Sequence, residues 1–254
     1  MEISKLTWKE IDALPRDTLF FISISPMEAH GPHLPIATDF EIARNVEKEV
    51  IKLLEEKGIR CVTLPPLPLG VCRYLEGFAG TISTHWKILH KLLLDIFKSF
   101  AGYGFKYFMI INFHMDLMHI KALYKAIKKA RKYDIIACEP LSAYYFRGEL
   151  FEDAEEEVHA DVKETSLALY LFPDDVKNYK IEDFKVKFNL FNSLKKFKEI
   201  GVKEAYIGSP SKASKEYGEE LFKRLVEKCY HASLMLREGK VVEMPKKLKI
   251  LLGI

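Results

Sequence analysis

The sequence predicts an α/β fold in which a mostly parallel sheet is covered by helices on both faces. Short apolar runs alternate with longer amphipathic stretches through more than half of the chain, and this alternation is typical of βαβ units. Because 48% of the 254 residues are hydrophobic, the chain can also form a large core. There is no internal repeat or low-complexity tract, so we expect a single domain over residues 1–254.

Four apolar runs are predicted as strands. Each run has five to eight residues and is rich in β-branched or aromatic side chains, which favours buried strands over helices. The regular alternation stops at Pro140, after the fourth run. The predicted strands span about 18–25, 60–64, 106–112 and 134–138.

Amphipathic stretches predict the helices that cover the sheet. The first helix begins near Asp39 and ends at Gly58, because glycine adopts the backbone conformation that terminates helices. Ser83 or Thr84 can cap the second helix. The five predicted helices end near residues 57, 100, 133, 171 and 238. The fourth begins near residue 159 and the fifth near residue 211. Residues 174–206 have weak periodicity and are predicted as irregular structure.

The composition excludes several classes of function. The net charge is only +3 and the charges are interleaved, so no nucleic-acid platform is predicted. No apolar run approaches 18 residues and no signal peptide is recognisable, so we expect no membrane interaction. The four cysteines are scattered without a Cys-x-x-Cys pair, and the glycines form no dinucleotide-binding pattern. These features favour a cytoplasmic protein with reduced thiols that acts on a small molecule.

Acidic and imidazole side chains directly follow two of the predicted strands. Glu28, His30 and Asp39 come after the first strand, and His114 and Asp116 come after the third. The carboxyl ends of parallel strands share one edge of a sheet, so the two groups are expected to meet there. Imidazole nitrogen and carboxylate oxygen suit Zn²⁺, Mn²⁺ or Fe²⁺, and five ligands are enough for one or two ions per subunit.

Each of these residues also has a simpler structural interpretation. A buried histidine is often a hydrogen-bonded core residue, and an aspartate such as Asp39 at a helix start is often only a cap. Glu28 is harder to explain in that way, because a buried carboxylate without a partner is costly and a cation would offset the cost. Spacing alone leaves both interpretations open.

Four short motifs are spread over most of the chain. The first is Glu-Ala-His-Gly-Pro-His-Leu-Pro from Glu28, with an aspartate nine residues after the first histidine. The others are Gly-Thr-Ile-Ser from Gly80, His-Ala-Asp-Val-Lys-Glu-Thr-Ser from His159 and Gly-Ser-Pro-Ser-Lys-Ala-Ser from Gly208. In sequence and in order, these motifs resemble the signature of the creatininase family, the creatinine amidohydrolases.

The resemblance implies a creatininase-like fold, a three-layer α/β/α arrangement, with a dinuclear metal site. One ion would be held by Glu28 and His114, and the other by His30 and Asp116. Asp39 would bridge the two ions through its two carboxylate oxygens. The resemblance places Asp116 where creatininase itself has the glutamate of a His-x-Glu motif. The aspartate side chain is shorter than that glutamate, so it would reach less far towards the second ion.

The resemblance also implies a metal-dependent amidohydrolase. The expected reaction is hydrolysis of a non-peptide C–N bond, in a cyclic amide or a formamide, within a small polar molecule. A metal-activated water would attack the carbonyl carbon. Glu164 or Asp116 would take a proton from that water, and His159 would protonate the departing nitrogen.

A glycine-rich loop is expected to cover the site and contact the substrate through Arg73, Tyr74 and Glu76. The resemblance places Cys72 where many family members carry a serine, and Leu75 where they carry a histidine. Creatinine itself is therefore not assumed as the substrate. The aromatic run 144–147 fits either a lid or a subunit contact.

Two other functions stay open at this point. One is deformylation of a ribosylaminopyrimidine phosphate in a flavin-type pathway, and the other is a non-catalytic metal-binding scaffold of the same fold. The resemblance further implies a homo-oligomer, with a hexamer as the expected form.

Overall fold

The computed structural model describes residues 1–151, 157–186 and 195–254. Its strands are Leu19–Ser23 (β1), Cys61–Thr63 (β2), Tyr107–Ile111 (β3) and Ile136–Cys138 (β4). They form one sheet in the order β2-β1-β3-β4, and every neighbouring pair is parallel. The predicted parallel sheet is confirmed, and the observed strands coincide with the predicted ones apart from their ends.

Helices connect the strands and cover both faces of the sheet. In the described part of the chain the α-helices are Trp8–Asp12 (α1), Thr38–Glu56 (α2), Trp86–Ala101 (α3), Leu117–Ala130 (α4), Pro140–Tyr145 (α5), Val162–Leu171 (α6), Lys215–Arg237 (α7) and Lys246–Leu252 (α8). Short 3₁₀ turns lie at Ile3–Lys5, Arg131–Tyr133, Pro173–Asp175, Phe197–Ile200 and Pro210–Lys212. None of the described helices is long and apolar enough to cross a membrane.

The side chains of β1 alternate between two separate cores. Phe20 and Ile22 pack in a cluster with apolar side chains of α3 and α4. Leu19 and Phe21 pack on the opposite face, in a cluster with apolar side chains of α2 and α7. Burial on both faces explains why the strand is a continuous apolar run without polar alternation. The predicted α/β/α layering is confirmed.

The boundaries of several helices differ from the prediction for local reasons. Three short helices, α1, α5 and α8, are absent from the sequence-based prediction because elements of seven residues or fewer show little periodicity. The helix α3 is capped by His85, whose ring Nδ1 accepts a hydrogen bond from the Lys87 N–H, and not by Ser83 or Thr84. The helix α6 begins at Val162 because the Asp161 carboxylate caps it.

The centre of the sheet places two loops side by side at its carboxyl edge. Strands β1 and β3 are neighbours, with Ser23 opposite Ile111 at the last paired position. The Ile24 N–H donates to the Ile111 carbonyl at 2.9 Å, which carries the pairing one residue further. The segments 24–37 and 112–116 therefore leave the sheet from adjacent points.

Glu139 is a buried carboxyl directly after the end of β4. Its Oε1 accepts a hydrogen bond from the Ser142 N–H at 3.1 Å, whereas Oε2 has no partner among the described residues. Burial raises the pKa of Glu139 from 4.5 to about 7. The folded protein therefore retains a proton that the unfolded chain releases as the pH rises above 4.5.

We expect this proton to make folding less favourable as the pH rises from about 5 to 8. The loss should be about 2 kcal/mol of the free energy of unfolding, and Glu139→Gln should not show it because glutamine stays neutral. Urea unfolding of both proteins at the two pH values measures the difference. Glu56→Gln, a change at an exposed acidic residue, is the control. An identical pH dependence in the wild type and in Glu139→Gln would contradict the prediction.

Candidate metal centre

The loop after β1 carries Glu28 and His30 into the protein interior. The Glu28 N–H donates to the Ile36 carbonyl at 2.9 Å, which closes the loop on itself. Gly31 has a φ of +65°, a conformation that favours glycine, and its N–H donates to the Ala205 carbonyl. The tight turn leaves both side chains fully buried at the carboxyl edge of the sheet.

The loop after β3 carries His114 to the same place. Asn112 fixes this loop, because its side-chain nitrogen donates to the His114 carbonyl and its oxygen accepts from the His114 N–H. The Phe113 N–H donates to the Ser25 hydroxyl at 2.9 Å, so the loops after β1 and β3 are joined directly. The sequence prediction that the two strand ends bring their polar residues together agrees with this geometry.

Asp39 lies between the two histidines in the first turn of α2. The N-cap of this helix is Ala37, and Asp39 makes no capping hydrogen bond. Its Oδ1 is 3.1 Å from His30 Nε2, and its Oδ2 is 3.0 Å from His114 Nδ1. Each oxygen of one carboxylate thus faces a different imidazole, which is the arrangement of a bridging ligand.

Glu164 and His159 complete the cluster from the opposite side. His159 projects from the turn before α6, and Glu164 from the first turn of that helix, so the two side chains converge. Glu164 Oε2 is 3.7 Å from His30 Nε2 and 3.8 Å from His159 Nδ1. His159 Nδ1 is also 3.7 Å from Glu28 Oε1, which in turn is 3.2 Å from His114 Nδ1.

The three imidazoles of the cluster are oriented in the same way. Each ring has one nitrogen within hydrogen-bond distance of a backbone carbonyl and directs the other nitrogen at the carboxylates. The carbonyl partners are Glu28 for His30 Nδ1 at 2.9 Å, Val71 for His114 Nε2 at 2.8 Å and Ala29 for His159 Nε2 at 2.8 Å. In a neutral ring, an N–H donated to a carbonyl leaves the inward nitrogen as the metal-binding atom, as in metal-binding histidines.

Burial and mutual attraction set the charges of the cluster. Burial opposes a charge on His30, but Asp39 and Glu164 outweigh it and raise the pKa of His30 to about 10. Burial also opposes ionisation of Asp39, but His30 and His114 lower its pKa below the usual range. Burial raises the pKa of Glu164 to about 8, and burial together with the charge of His30 lowers the pKa of His159.

Three groups of donor atoms lie close enough to share a metal ion. Within each group the donor atoms are all within 4.8 Å of one another. The groups are Glu28 with Cys72 and His114, Glu28 with His30 and His159, and His30 with Asp39 and Glu164. Burial raises the pKa of the Cys72 thiol far above its usual range, so Cys72 is a neutral neighbour of the cluster in the absence of a cation.

Asp116 is placed differently from the other predicted ligands. Its Oδ1 accepts from the N–H groups of Met118 and His119 at 2.7 and 3.3 Å, and its Oδ2 accepts from the Arg73 N–H at 3.0 Å. The carboxylate is therefore the N-cap of α4 and a support for the loop that carries Arg73. It belongs to none of the donor groups found among the described residues.

Comparison with known proteins identifies the family. A family model described as creatinine amidohydrolase matches residues 4–232. The chain belongs to the creatininase family. The mycofactocin precursor peptide peptidase of Mycolicibacterium smegmatis is 27% identical over 223 residues, which are 83% of this chain and 82% of the relative. The creatinine amidohydrolase of Pseudomonas putida is 25% identical over 204 residues, which are 71% and 75% of the two chains.

Solved creatininase structures share the fold of this chain. The structure described as "Creatininase Mn" aligns with a TM-score of 0.73 at 21% identity and covers 94% of this chain and 98% of its own. The predicted creatininase resemblance is confirmed, and the chain is a metal-dependent hydrolase of this family. The family match ends before α8, so that helix lies outside the matched region.

A cavity of about 760 Å³ opens beside the cluster of this creatininase-family chain. Of the residues predicted to contact substrate, Tyr74 lines the cavity and stacks on Phe197 with ring centroids 5.8 Å apart. The Arg73 guanidinium lies over the Tyr74 ring, and Glu76 forms an ion pair with Lys196 at 2.7 Å. Neither Arg73 nor Glu76 is among the described residues that line the cavity.

Several cavity residues have no signal in the sequence. Phe113, Phe151 and Phe197 line the cavity from three separate segments, and α8 contributes a further wall. Tyr145 and Phe146, in the aromatic run between α5 and the following turn, also line it. The run therefore forms part of the cavity wall, and its role as a lid or a subunit contact stays a prediction.

The capping role of Asp116 can be tested on metal-free protein. We expect Asp116→Ala to lower the free energy of unfolding by about 1–2 kcal/mol, because three backbone N–H groups lose their acceptor. Asp116→Asn should lower it by less than Asp116→Ala does, because the amide oxygen can keep the helix cap although the amide nitrogen cannot accept from the Arg73 N–H. Urea unfolding in the presence of a chelator measures both. Equal stability of Asp116→Ala and the wild type would contradict the capping role.

Proposed function

We propose that the chain hydrolyses an amide C–N bond with the help of two divalent metal ions held by the carboxylate–imidazole cluster. The observation that carries the proposal is the position of Asp39, whose two oxygens face two imidazoles at 3.0 and 3.1 Å. The other nitrogens of these imidazoles contact backbone carbonyls, so their inward nitrogens are held facing Asp39.

The donor atoms fit the size of a metal ion. Two ligand atoms bound at about 2.1 Å with tetrahedral geometry lie roughly 3.4 Å apart. The inward contacts of Asp39, Glu28 and Glu164 with the histidine nitrogens range from 3.0 to 3.8 Å. Glu28 Oε2 is buried and has no hydrogen-bond partner among the described residues, which a cation would provide.

Two sets of ligands follow from these contacts. Glu28, His114 and one oxygen of Asp39 would hold the first ion. His30, Glu164 and the other oxygen of Asp39 would hold the second. Zn²⁺, Mn²⁺ and Fe²⁺ all suit such nitrogen and oxygen donors. Ions bound there supply an activated water at neutral pH and polarise the amide carbonyl.

Glu164 replaces Asp116 in this assignment. The Asp116 carboxylate is occupied by three backbone N–H groups, whereas Glu164 Oε2 points at His30. Glu164 also accepts a hydrogen bond from the Ala160 N–H at 2.5 Å, which fixes its side chain. We therefore propose a positioning role for Asp116, through the cap of α4 and the loop after Val71.

His159 is the residue proposed to move protons. Its lowered pKa keeps the imidazole neutral at pH 7, and its Nδ1 faces the cluster with a free lone pair. A neutral imidazole there can take a proton from the attacking water and give it to the departing nitrogen. The Ala29 carbonyl holds the ring in this orientation throughout.

The reacting group of the substrate is proposed to be a cyclic amide or a formamide. Because one relative is named a peptidase, the activity test described below also includes a linear peptide amide. A phosphorylated deformylase substrate is less well supported at the cluster itself, where the nearby Lys163 is already paired with Asp161 at 2.9 Å. A metal-binding scaffold without chemistry would share the orientation of the three imidazoles, so the activity measurement below is what separates it from the hydrolase.

The metal content of variants tests the ligand assignment. We expect about two ions per chain in the wild type, one in Glu164→Gln and nearly none in Asp39→Asn, because only Asp39 contacts both sites. Asp116→Asn is the matched control and should keep both ions. Elemental analysis after reconstitution with Mn²⁺ or Zn²⁺ gives the numbers. Loss of an ion in Asp116→Asn with full content in Glu164→Gln would restore the pairing that the resemblance implies.

The activity of the metal-loaded protein tests the reaction. We expect release of amine or formate from at least one member of a panel of cyclic amides, formamides and peptide amides, and no release after chelation. His159→Ala should lower kcat by about 100-fold or more while the metal content stays normal, because the proton transfer is lost.

The exposed His231 on α7 offers the matched control for this measurement. His231→Ala should retain full turnover. Full activity of His159→Ala with normal metal content would remove the proton-transfer role. A metal-loaded wild type that cleaves no amide of the panel would overturn amide hydrolysis.

A further inference from the structure

The cavity beside the cluster is larger and more apolar than a small polar amide requires. Its volume of about 760 Å³ lies in the upper part of the range of roughly 300–1,000 Å³ for drug-sized ligands. Six aromatic side chains line it, and these are Tyr74, Phe113, Tyr145, Phe146, Phe151 and Phe197. Such a wall favours a substrate whose non-reacting portion is extended and apolar.

One side of the cavity is formed by α8. Leu248 and Leu252 are buried against Ile120 and Met244, and these contacts fix the helix on the rest of the protein. Leu248 and Leu251 line the cavity, although 55% of the Leu251 side chain stays exposed. Because the family match ends at residue 232, this wall is a feature of the present chain outside the matched region.

Two cations of α8 also line the cavity. Lys163, the other lysine of the wall, is paired with Asp161 at 2.9 Å and donates to the Glu157 carbonyl. Lys246 and Lys247 have neither an ion pair nor a side-chain hydrogen bond within residues 1–151, 157–186 and 195–254. Both lysines are exposed at the rim of the cavity, so among the described residues their ammonium groups are available to an anion bound there.

We propose that α8 is a specificity element and that the substrate carries an anionic group, a carboxylate or a phosphate, on its apolar portion. Lys246 and Lys247 bind this anion, the aromatic wall holds the apolar portion, and the reacting amide lies at the cluster. The position of the reacting amide rests on the proposed function, whereas binding of the anion by α8 does not.

Binding to metal-free protein tests the proposal without catalysis. Isothermal titration calorimetry on chelator-treated protein compares three probes with similar phenylalkyl portions: 4-phenylbutyrate, 3-phenylpropylphosphonate and the neutral 4-phenylbutyramide. We expect at least one anion to bind about fivefold more tightly than the amide, as exposed charge pairs allow. The anion that binds more tightly distinguishes a carboxylate from a phosphate substrate. The double variant Lys246→Gln/Lys247→Gln should bind all three probes equally.

Lys132→Gln, at an exposed lysine outside the cavity, is the matched control and should keep the preference for the anion. Equal binding of the anions and the amide by the wild type would overturn the proposal, as would a preference that survives in the double variant. Thermal unfolding verifies that each variant is folded. If the protein prefers the anions but has no amidase activity, only the proposed function is contradicted. If it has amidase activity but does not prefer the anions, only the role of α8 is contradicted.

Discussion

The structure depends on the compensation of buried charge at one edge of a parallel sheet. Glu28, Asp39 and His30 are almost inaccessible to water, and each would be expensive to bury as a lone ion. Their contacts offset this cost, because both Asp39 oxygens and Glu28 Oε1 have an imidazole neighbour, whereas Glu28 Oε2 has no partner among the described residues. A cation bound beside Glu28 Oε2 would supply the partner that this buried oxygen lacks.

The topology of the sheet makes this concentration of charge possible. Because β1 and β3 are central neighbours, their following loops start from adjacent points and need only a few residues to bring Glu28 and His114 together. Asn112 donates a hydrogen bond to the His114 carbonyl and Ser25 accepts one from the Phe113 N–H, so the proposed ligands stand on loops that are fixed by hydrogen bonds. The first turns of α2 and α6 add Asp39 and Glu164 from helices whose other faces belong to the core. Rigid support of this kind is what a preorganised site requires.

Much of this could be predicted from local sequence, and the remainder could not for identifiable reasons. Strands β1 and β3 are buried on both faces, so they stand out as apolar runs, and polar residues directly after them are conspicuous. Whether Asp116 or Glu164 is the better candidate ligand for the second ion is harder to predict, because the answer depends on whether the Asp116 carboxylate turns back to cap its own helix. Its backbone angles of φ −62° and ψ 125° place it as an N-cap, and no spacing rule gives those angles. The pairing of α8 with Ile120 likewise depends on contacts distant in sequence.

The proposed chemistry and the proposed selectivity therefore belong to different parts of the chain. The cluster lies entirely within residues 28–164, inside the region that matches the family. Among the described residues, α8 contributes no donor atom to the cluster, and apolar contacts with Ile120 and Met244 attach the helix to the rest of the protein. A helix held in this way can change its side chains without disturbing the ligands. Function on a shared fold then diverges through such walls, while the reactive centre stays the same.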